Sequence, residues 1–367
     1  MNKSILCVIG TRPEAIKMAP VILALQKEPW ANVRVLATAQ HRHMLDQVNQ
    51  FFGIEPAIDL DIMRPNQALT TLTARLLLDL DDVLEAEKPD AVLVQGDTTT
   101  VMAVALACFY HRIPIGHVEA GLRTWDMQNP FPEEANRVIA GILAKWHFAP
   151  TEGSRQNLLK EGIADTEILV TGNTVIDALL MSAAKELEIG IEIPPDKRLV
   201  LVTSHRRENF GEPFRNICRA LRTLAENNPG VQFLYPVHPN PNIKNVAHEF
   251  LSGLPNFILC EPLDYAPFIA AMKRSYIILT DSGGVQEEAP ALGKPVLVLR
   301  DETERPEAVE QGVVKLVGPN YERIVEEAQR LLDDESAYRA MARGVSPYGD
   351  GRAAGRIVQA LRQHFAQ

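Results

Sequence analysis

The chain has 367 residues, 46% hydrophobic and 23% charged, which suits a globular protein of two packed domains. Its formal charge of −10 argues against nucleic acid or an anionic membrane as the main partner, while leaving room for a local basic pocket. The four cysteines lack any CxxC pairing; Cys7, Cys108 and Cys260 sit in apolar runs, as small core residues do in a reducing compartment. The opening MNKSILCVIG has too short an apolar run for a secretory signal, and nothing approaches the ~20 apolar residues of a membrane span. A cytoplasmic protein is expected.

Short apolar, β-branched runs predict strands over 4–9, 33–38, 91–95, 113–118, 146–149 and 167–171. A polar stretch follows, SAAKELEIGIEIPPDK (182–197), and then further strands over 198–203, 231–237, 257–260, 276–280, 295–299 and 313–317. Helical patterns lie between them, among them 13–27, 69–87, 98–110, 133–145, 214–227, 284–292 and 321–332. Continuous apolar strands with helical crossovers imply parallel sheets covered on both faces, and the strands are too many for one comfortable sheet. The fold class read from this is α/β: two doubly wound, Rossmann-like domains, joined near 172–197 and facing a central cleft. Ligands of such sheets sit beyond the carboxyl ends of the strands, so the residues just after each strand carry the information.

After the first strand comes GTRPEAIKMAP (10–20), where Pro13 and Glu14 suit a helix start and Arg12 and Lys17 offer two cations to a phosphate or a negatively charged leaving group. A solvated basic pair is the plainer reading of those two. QGDTTT (95–100) puts Asp97 at a strand end, as a functional carboxylate or merely a helix cap. HVEAGLRT (117–124) adds His117 and Glu119, and NPFPEEANR (129–137) adds Glu133 and Glu134 at a helix start. Asp97, Glu119 and Glu133 come from neighbouring crossovers of one sheet, and carboxylates gathered in this way can divide acid and base duties. In the second half, SHRREN (204–209) crowds His205, Arg206, Arg207 and Glu208 at a strand end, YPVHPNP (235–241) supplies His238, and ERPE (304–307) supplies Arg305. DSGGVQEEAP (281–290) reads as a glycine turn into a helix. Ser282, Gly283 and Gly284 suit a diphosphate, and Glu288 suits ribose hydroxyls. No GxGxxG, GxxxxGK[ST] or GxSxG occurs, and no histidine or cysteine spacing suggests a metal site.

The blocks GTRPEAIKMAP, TAQHRHMLDQV, GDTTT, GHVEAGLRT, FPEEANR, GNTVIDAL, SHRREN, YPVHPNP, LTDSGGVQEEAP, LGKPVLVLRDETERPE and PYGDG together resemble the non-hydrolysing UDP-N-acetylglucosamine 2-epimerases, from Gly10 to about Gly351. The resemblance implies a glycosyltransferase-B-like fold. It places an N-terminal domain over 1–171 plus a returning 355–367, and a UDP-binding domain over 172–354. It implies reversible conversion of UDP-GlcNAc to UDP-ManNAc through 2-acetamidoglucal and UDP, in a homodimer, without metal or nicotinamide, feeding bacterial surface polysaccharide. Asp97, Glu119, Glu133 and His205 match catalytic positions of that family. Arg12, Lys17, Phe268, Ser282, Gly283, Gly284, Glu288 and Arg305 match substrate and UDP positions, with Phe268 near uracil. Gln40, Arg207 and His238 match contacts of an activating second UDP-GlcNAc. There the chain departs from some members: His43 stands for glutamine, Asn66 for arginine, and Leu263 for a polar residue near uracil. Alternatives of the same fold are a 2-epimerase of a 2,3-diacetamido uronic acid UDP-sugar and a UDP-sugar glycosyltransferase. A silent nucleotide-sugar sensor sits poorly with the intact carboxylates, and a hydrolysing enzyme with its fused kinase exceeds the length of this chain.

Overall fold

The computed structural model describes residues 2–38, 42–64, 67–303 and 305–366, apart from the side chains of 42–44. The chain divides into two compact units, Met1–Ala178 with Tyr348–Gln367, and Leu179–Pro347.

The first unit begins with β1 (Lys3–Ile9), α1 (Arg12–Gln26), β2 (Ala31–Ala37), α2 (Arg42–Phe52), β3 (Ile58–Asp59) and α3 (Leu69–Glu87). It continues through β4 (Ala91–Gln95), α4 (Thr99–Tyr110), β5 (Ile115–Val118), α5 (Glu133–Leu143), β6 (Trp146–Ala149), α6 (Glu152–Lys160), β7 (Ile168–Val170) and the first half of α7 (Thr174–Ala183), whose residues from Leu179 on belong to the second unit. The strands form a parallel sheet in the order β3-β2-β1-β4-β5-β6-β7. The central β4 is buried along its whole length, as a strand covered on both faces must be. On α3, Leu72, Leu76, Leu80 and Leu84 recur every fourth residue and form its buried stripe. Hydroxyl caps start several of the helices: Thr11 accepts from Glu14 N on α1, Thr98 from Val101 N on α4, and Thr151 from Ser154 N on α6.

The second unit holds β8 (Arg198–Thr203), α8 (Glu212–Asn227), β9 (Val231–Pro236), α9 (Pro241–Leu251), β10 (Phe257–Cys260), α10 (Tyr265–Arg274) and β11 (Ile277–Thr280). It ends with α11 (Gly283–Glu288), β12 (Val296–Val298), α12 (Pro306–Glu310), β13 (Val314–Leu316), α13 (Tyr321–Asp333) and α14 (Glu335–Met341). Its parallel sheet runs β10-β9-β8-β11-β12-β13. α15 (Ala353–Phe365) belongs to the first unit. The buried carboxylate of Asp177 accepts from the N–H groups of Ala353 and Ala354 and so caps α15, while Asn173 N donates to Tyr348 O at 2.6 Å. Those bonds carry the first unit as far as Ala178 and bring the chain back at Tyr348, against expected limits of 171 and 355. Phe365 lies 6.0 Å from the Trp30 ring and His364 4.9 Å from that of Trp146.

Three details depart from the sequence reading. β3 has only two residues, too few to leave a periodic signal. The helix expected over 284–292 is a six-residue α11 followed by a 3-10 turn, Ala289–Leu292, closed by Gly293 at φ 68°. Among the cysteines, Cys260 is only half-buried, whereas Cys218 is fully buried on α8.

The turn after β5 has little freedom. Gly121 takes φ 89°, and a Cβ on it would stand 2.3 Å from the Ser154 carbonyl oxygen. Gly121→Ala therefore combines left-handed strain with a backbone clash, and is expected to cost about 2–4 kcal/mol. Urea unfolding measures this, and a loss below about 1 kcal/mol would show that the α6 backbone yields.

Candidate active site

In the first sheet the strand order reverses between β1 and β4, and the turns after these strands stand side by side. Gly10 is needed there: a Cβ would lie 2.6 Å from Thr38 Oγ1 and 2.9 Å from Thr100 Oγ1. Glu14 is buried and links the two turns. Its Oε2 accepts from Gly10 N at 3.1 Å and its Oε1 from the Thr98 hydroxyl at 2.8 Å. Burial pushes its carboxyl above the usual range against these hydrogen bonds. Arg12, half-buried, opens α1.

Lys17, expected beside a phosphate, points its ammonium at Glu119, with Nζ 2.5 and 2.8 Å from the two carboxylate oxygens. Gln95, the last residue of β4, donates to Glu119 Oε2 at 2.6 Å. Glu119 sits just past β5 with φ 63°, a left-handed conformation unusual for a residue with a side chain. The buried His117 donates through Nε2 to Gly96 O at 2.7 Å. Burial drops its pKa to about 3, so the ring is neutral at working pH.

Asp97 follows Gly96. Thr98, not Asp97, caps α4, which leaves the Asp97 carboxylate for other work. Its Oδ2 accepts from Arg137 Nη2 at 2.6 Å, and its backbone carbonyl accepts from Asn136 Nδ2 at 3.0 Å. Glu133, Asn136 and Arg137 are spaced i, i+3, i+4 along α5, so one helix face carries a candidate carboxylate and both holders of Asp97. Burial lifts the Asp97 pKa, Glu119 and Glu133 add to the rise, and Arg137 and Lys17 oppose it. The net direction is upward even though Arg137 is paired with it: desolvation outweighs the pair. Glu134 plays a different part. It is buried, accepts from Thr124 N and Trp125 N, both at 3.0 Å, and holds the loop leading into α5.

In the second sheet the order reverses between β8 and β11. Asp281, immediately after β11, is 0% exposed. Its carboxylate accepts from Ser204 Oγ at 2.8 Å, His205 N and Arg206 N at 2.9 Å, and Asn209 Nδ2 at 3.1 Å. The strand ends are tied again by the Thr203 and Thr280 hydroxyls, 2.6 Å apart. The His205 ring stacks on that of His238, with centroids 5.8 Å apart. Partial burial lowers the His205 pKa, the Asp281 carboxylate pulls it up, and Arg206 and His238 push it down.

Ser282 stands at the N-cap of α11 without a side-chain cap bond, followed by buried Gly283 and exposed Gly284. The Arg305 guanidinium lies over Gly283, where a Cβ would come within 3.2 Å of its carbon. Arg305 Nε donates to buried Glu287 at 2.6 Å, so this arginine is held in place by the carboxylate next to Glu288. Glu288 is the last residue of α11, and it and Phe268 on α10 are half-buried. Of the second-ligand residues, Arg207 and His238 are exposed in the second unit, and His238 Nδ1 accepts from Asn240 N at 3.2 Å. Gln40 and Asn66 lie outside the described residues, as does the side chain of His43.

The structure thus gathers Lys17, Asp97, Glu119 and Glu133 in the first unit, and His205, Ser282, Gly283 and Arg305 on neighbouring turns of the second. Sequence reasoning misses Asn136, Arg137 and Asp281. A signal for Asn136 and Arg137 is present, since they lie three and four residues beyond Glu133 on a predicted helix. Asp281 opens the glycine turn, but nothing beside it in the sequence marks the loop it holds.

The family model for UDP-N-acetylglucosamine 2-epimerase matches residues 23–362. The UDP-N-acetylglucosamine 2-epimerase of Escherichia coli (strain K12) is 55% identical over 370 residues, covering 98% of each chain. A crystal structure of UDP-GlcNAc 2-epimerase from Neisseria meningitidis bound to UDP-GlcNAc superposes with a TM-score of 0.87 at 50% identity, covering 98% of this chain and 100% of that one. The crystal structure of the glycotransferase of kitacinnamycin, 15% identical with a TM-score of 0.67 over 99% of both chains, shares the fold alone. With two parallel Rossmann-like units matched along almost their whole length, the chain is an enzyme that belongs to the UDP-N-acetylglucosamine 2-epimerase family.

Proposed function

We propose that this protein interconverts UDP-N-acetylglucosamine and UDP-N-acetylmannosamine by eliminating UDP and adding it back. The observation that carries this reading is the cluster of Asp97, Glu119, Glu133, Lys17 and Arg137, close enough that each of the others acts on the ionisation of Asp97. Inverting C2 requires one group to take the C2 proton and another to return a proton to the opposite face. Carboxylates of unlike surroundings meet that need: Asp97 pairs with Arg137 and is shifted upward by burial, whereas Glu119 is held by Lys17 and Gln95.

In the forward direction a carboxylate accepts the C2 proton, the C1–O bond breaks, and the electron pair leaves with UDP, giving 2-acetamidoglucal. UDP oxygen then re-forms the bond to C1 as C2 is reprotonated from the other side. Arg12, His205 and Arg305 are proposed to stabilise the departing diphosphate, Ser282, Gly283, Gly284 and Glu288 to bind UDP, and Phe268 to meet uracil. Lys17 is proposed to act through Glu119, holding its carboxylate for proton transfer. Arg207 and His238, with Gln40 and His43, are proposed for a second UDP-GlcNAc. We further propose a cytoplasmic homodimer supplying ManNAc for surface polysaccharide, without metal or nicotinamide. No helix among the described residues is long and apolar enough to cross a membrane.

Proton NMR in D2O with UDP-GlcNAc, no acceptor and no added metal, tests the reaction. The expected result is loss of the C2 proton signal as UDP-ManNAc anomeric signals grow. An unchanged spectrum overturns the substrate assignment; a 2,3-diacetamido uronic acid UDP-sugar in the same tube then tests the alternative substrate.

A further inference from the structure

Asp281 is fully buried, and its carboxylate accepts hydrogen bonds almost entirely from one loop. Ser204, His205, Arg206 and Asn209 wrap around it from the end of β8. Asn209 also donates to Leu299 O at 3.1 Å, and Tyr235 OH donates to Ser204 O at 2.9 Å, so the loop is held from both sides. A buried carboxylate with several donors fixes the backbone that supplies them. A second feature goes beyond a loop staple. His205 Nδ1 lies 3.5 Å from Asp281 Oδ1, with the ring set nearly parallel to that of His238 at 19°. Asp281 therefore faces Nδ1, one of the two ring nitrogens.

We propose that Asp281 is the positioning residue for His205: it fixes the ring orientation and selects the Nδ1–H tautomer of the neutral imidazole, so that Nε2 is the nitrogen that takes up a proton and, as the imidazolium N–H, donates to the departing diphosphate. The physical basis is the ordinary rule that the partner of one ring nitrogen decides the state of the other. The charged groups facing the ring are Asp281, Arg206 and His238, and among them Asp281 alone favours the imidazolium. Asp281 also directly precedes Ser282, so the residue that orients His205 starts the turn proposed to bind diphosphate. Only the kinetic consequence rests on the epimerase reading; the ring state does not.

The test begins with ring nitrogen NMR of the unmodified protein, assigned with His205→Gln. The expected neutral form carries its proton on Nδ1; a dominant Nε2–H form overturns the proposal without any variant having to fold. Asp281→Asn, if it folds, is expected to lower the His205 titration midpoint, because the charge that favours the imidazolium is gone. It is also expected to reduce kcat about tenfold or more with little change in KM. A folded Asp281→Asn protein with an unmoved midpoint overturns the proposal even if activity falls, since that result marks a structural staple only. The expected ring behaviour in a protein that never epimerises UDP-GlcNAc sinks the proposed reaction instead and leaves the positioning role standing.

Discussion

Asp97→Asn is expected to lower kcat for C2 epimerisation by about 10²–10⁴-fold, with KM changed far less. Asparagine keeps the volume and can still accept from Arg137, so the variant isolates proton transfer from packing. The pH dependence follows from the direction of the Asp97 shift. In the direction in which Asp97 takes the C2 proton the reactive form is the carboxylate, and burial raises its pKa, so activity in that direction falls as pH drops through that raised value. Arg137 opposes the rise through its 2.6 Å contact. Removing that cation in Arg137→Met must then push the Asp97 pKa further up, and the acid limb of kcat/KM moves to higher pH. A limb that stays put, or moves down, would show that another group sets it. Near-normal turnover in Asp97→Asn would remove Asp97 from the chemistry.

The elements carrying these residues are legible in the sequence because each leaves a local mark. Apolar runs of four to seven residues mark nearly every strand, and Pro13 with Glu14, and Glu133 with Glu134, mark helix starts. The rule that ligands meet the carboxyl ends of parallel strands then picks out Asp97 and Glu119. What stays hidden is partnership. Asp97 and Arg137 are 40 residues apart, and Asp281 and Ser204 are 77 apart. Such pairs depend on the order of strands in the sheet, on which periodicity is silent. Lys17 and Arg305 are obscured for the same reason. Both read as cations awaiting an anion, and both already face carboxylates of the protein, Glu119 and Glu287. Arg305 still lies over Gly283, so its pairing fixes the guanidinium at the place the glycine turn suggested.

The ion pair of Lys17 and Glu119 is the second place where a large effect is expected. Glu119 keeps 7% of its side chain exposed and Lys17 19%, so the pair is largely out of solvent. Lys17→Met leaves a buried carboxylate with Gln95 but no cation, and is expected to cost about 3 kcal/mol of stability as well as activity. Glu119→Gln removes the charge yet keeps a group that bonds Lys17 through its carbonyl; it should unfold near the native midpoint while kcat drops about 10²–10⁴-fold. If Lys17 acts through Glu119, the double variant is no slower than the worse single within about tenfold, because groups working as a unit are not additive. Fully multiplicative losses would assign Lys17 an independent role, such as the diphosphate contact that its place after β1 suggests. The two outcomes differ by orders of magnitude in kcat, and the unfolding midpoints of the same proteins separate lost chemistry from lost fold.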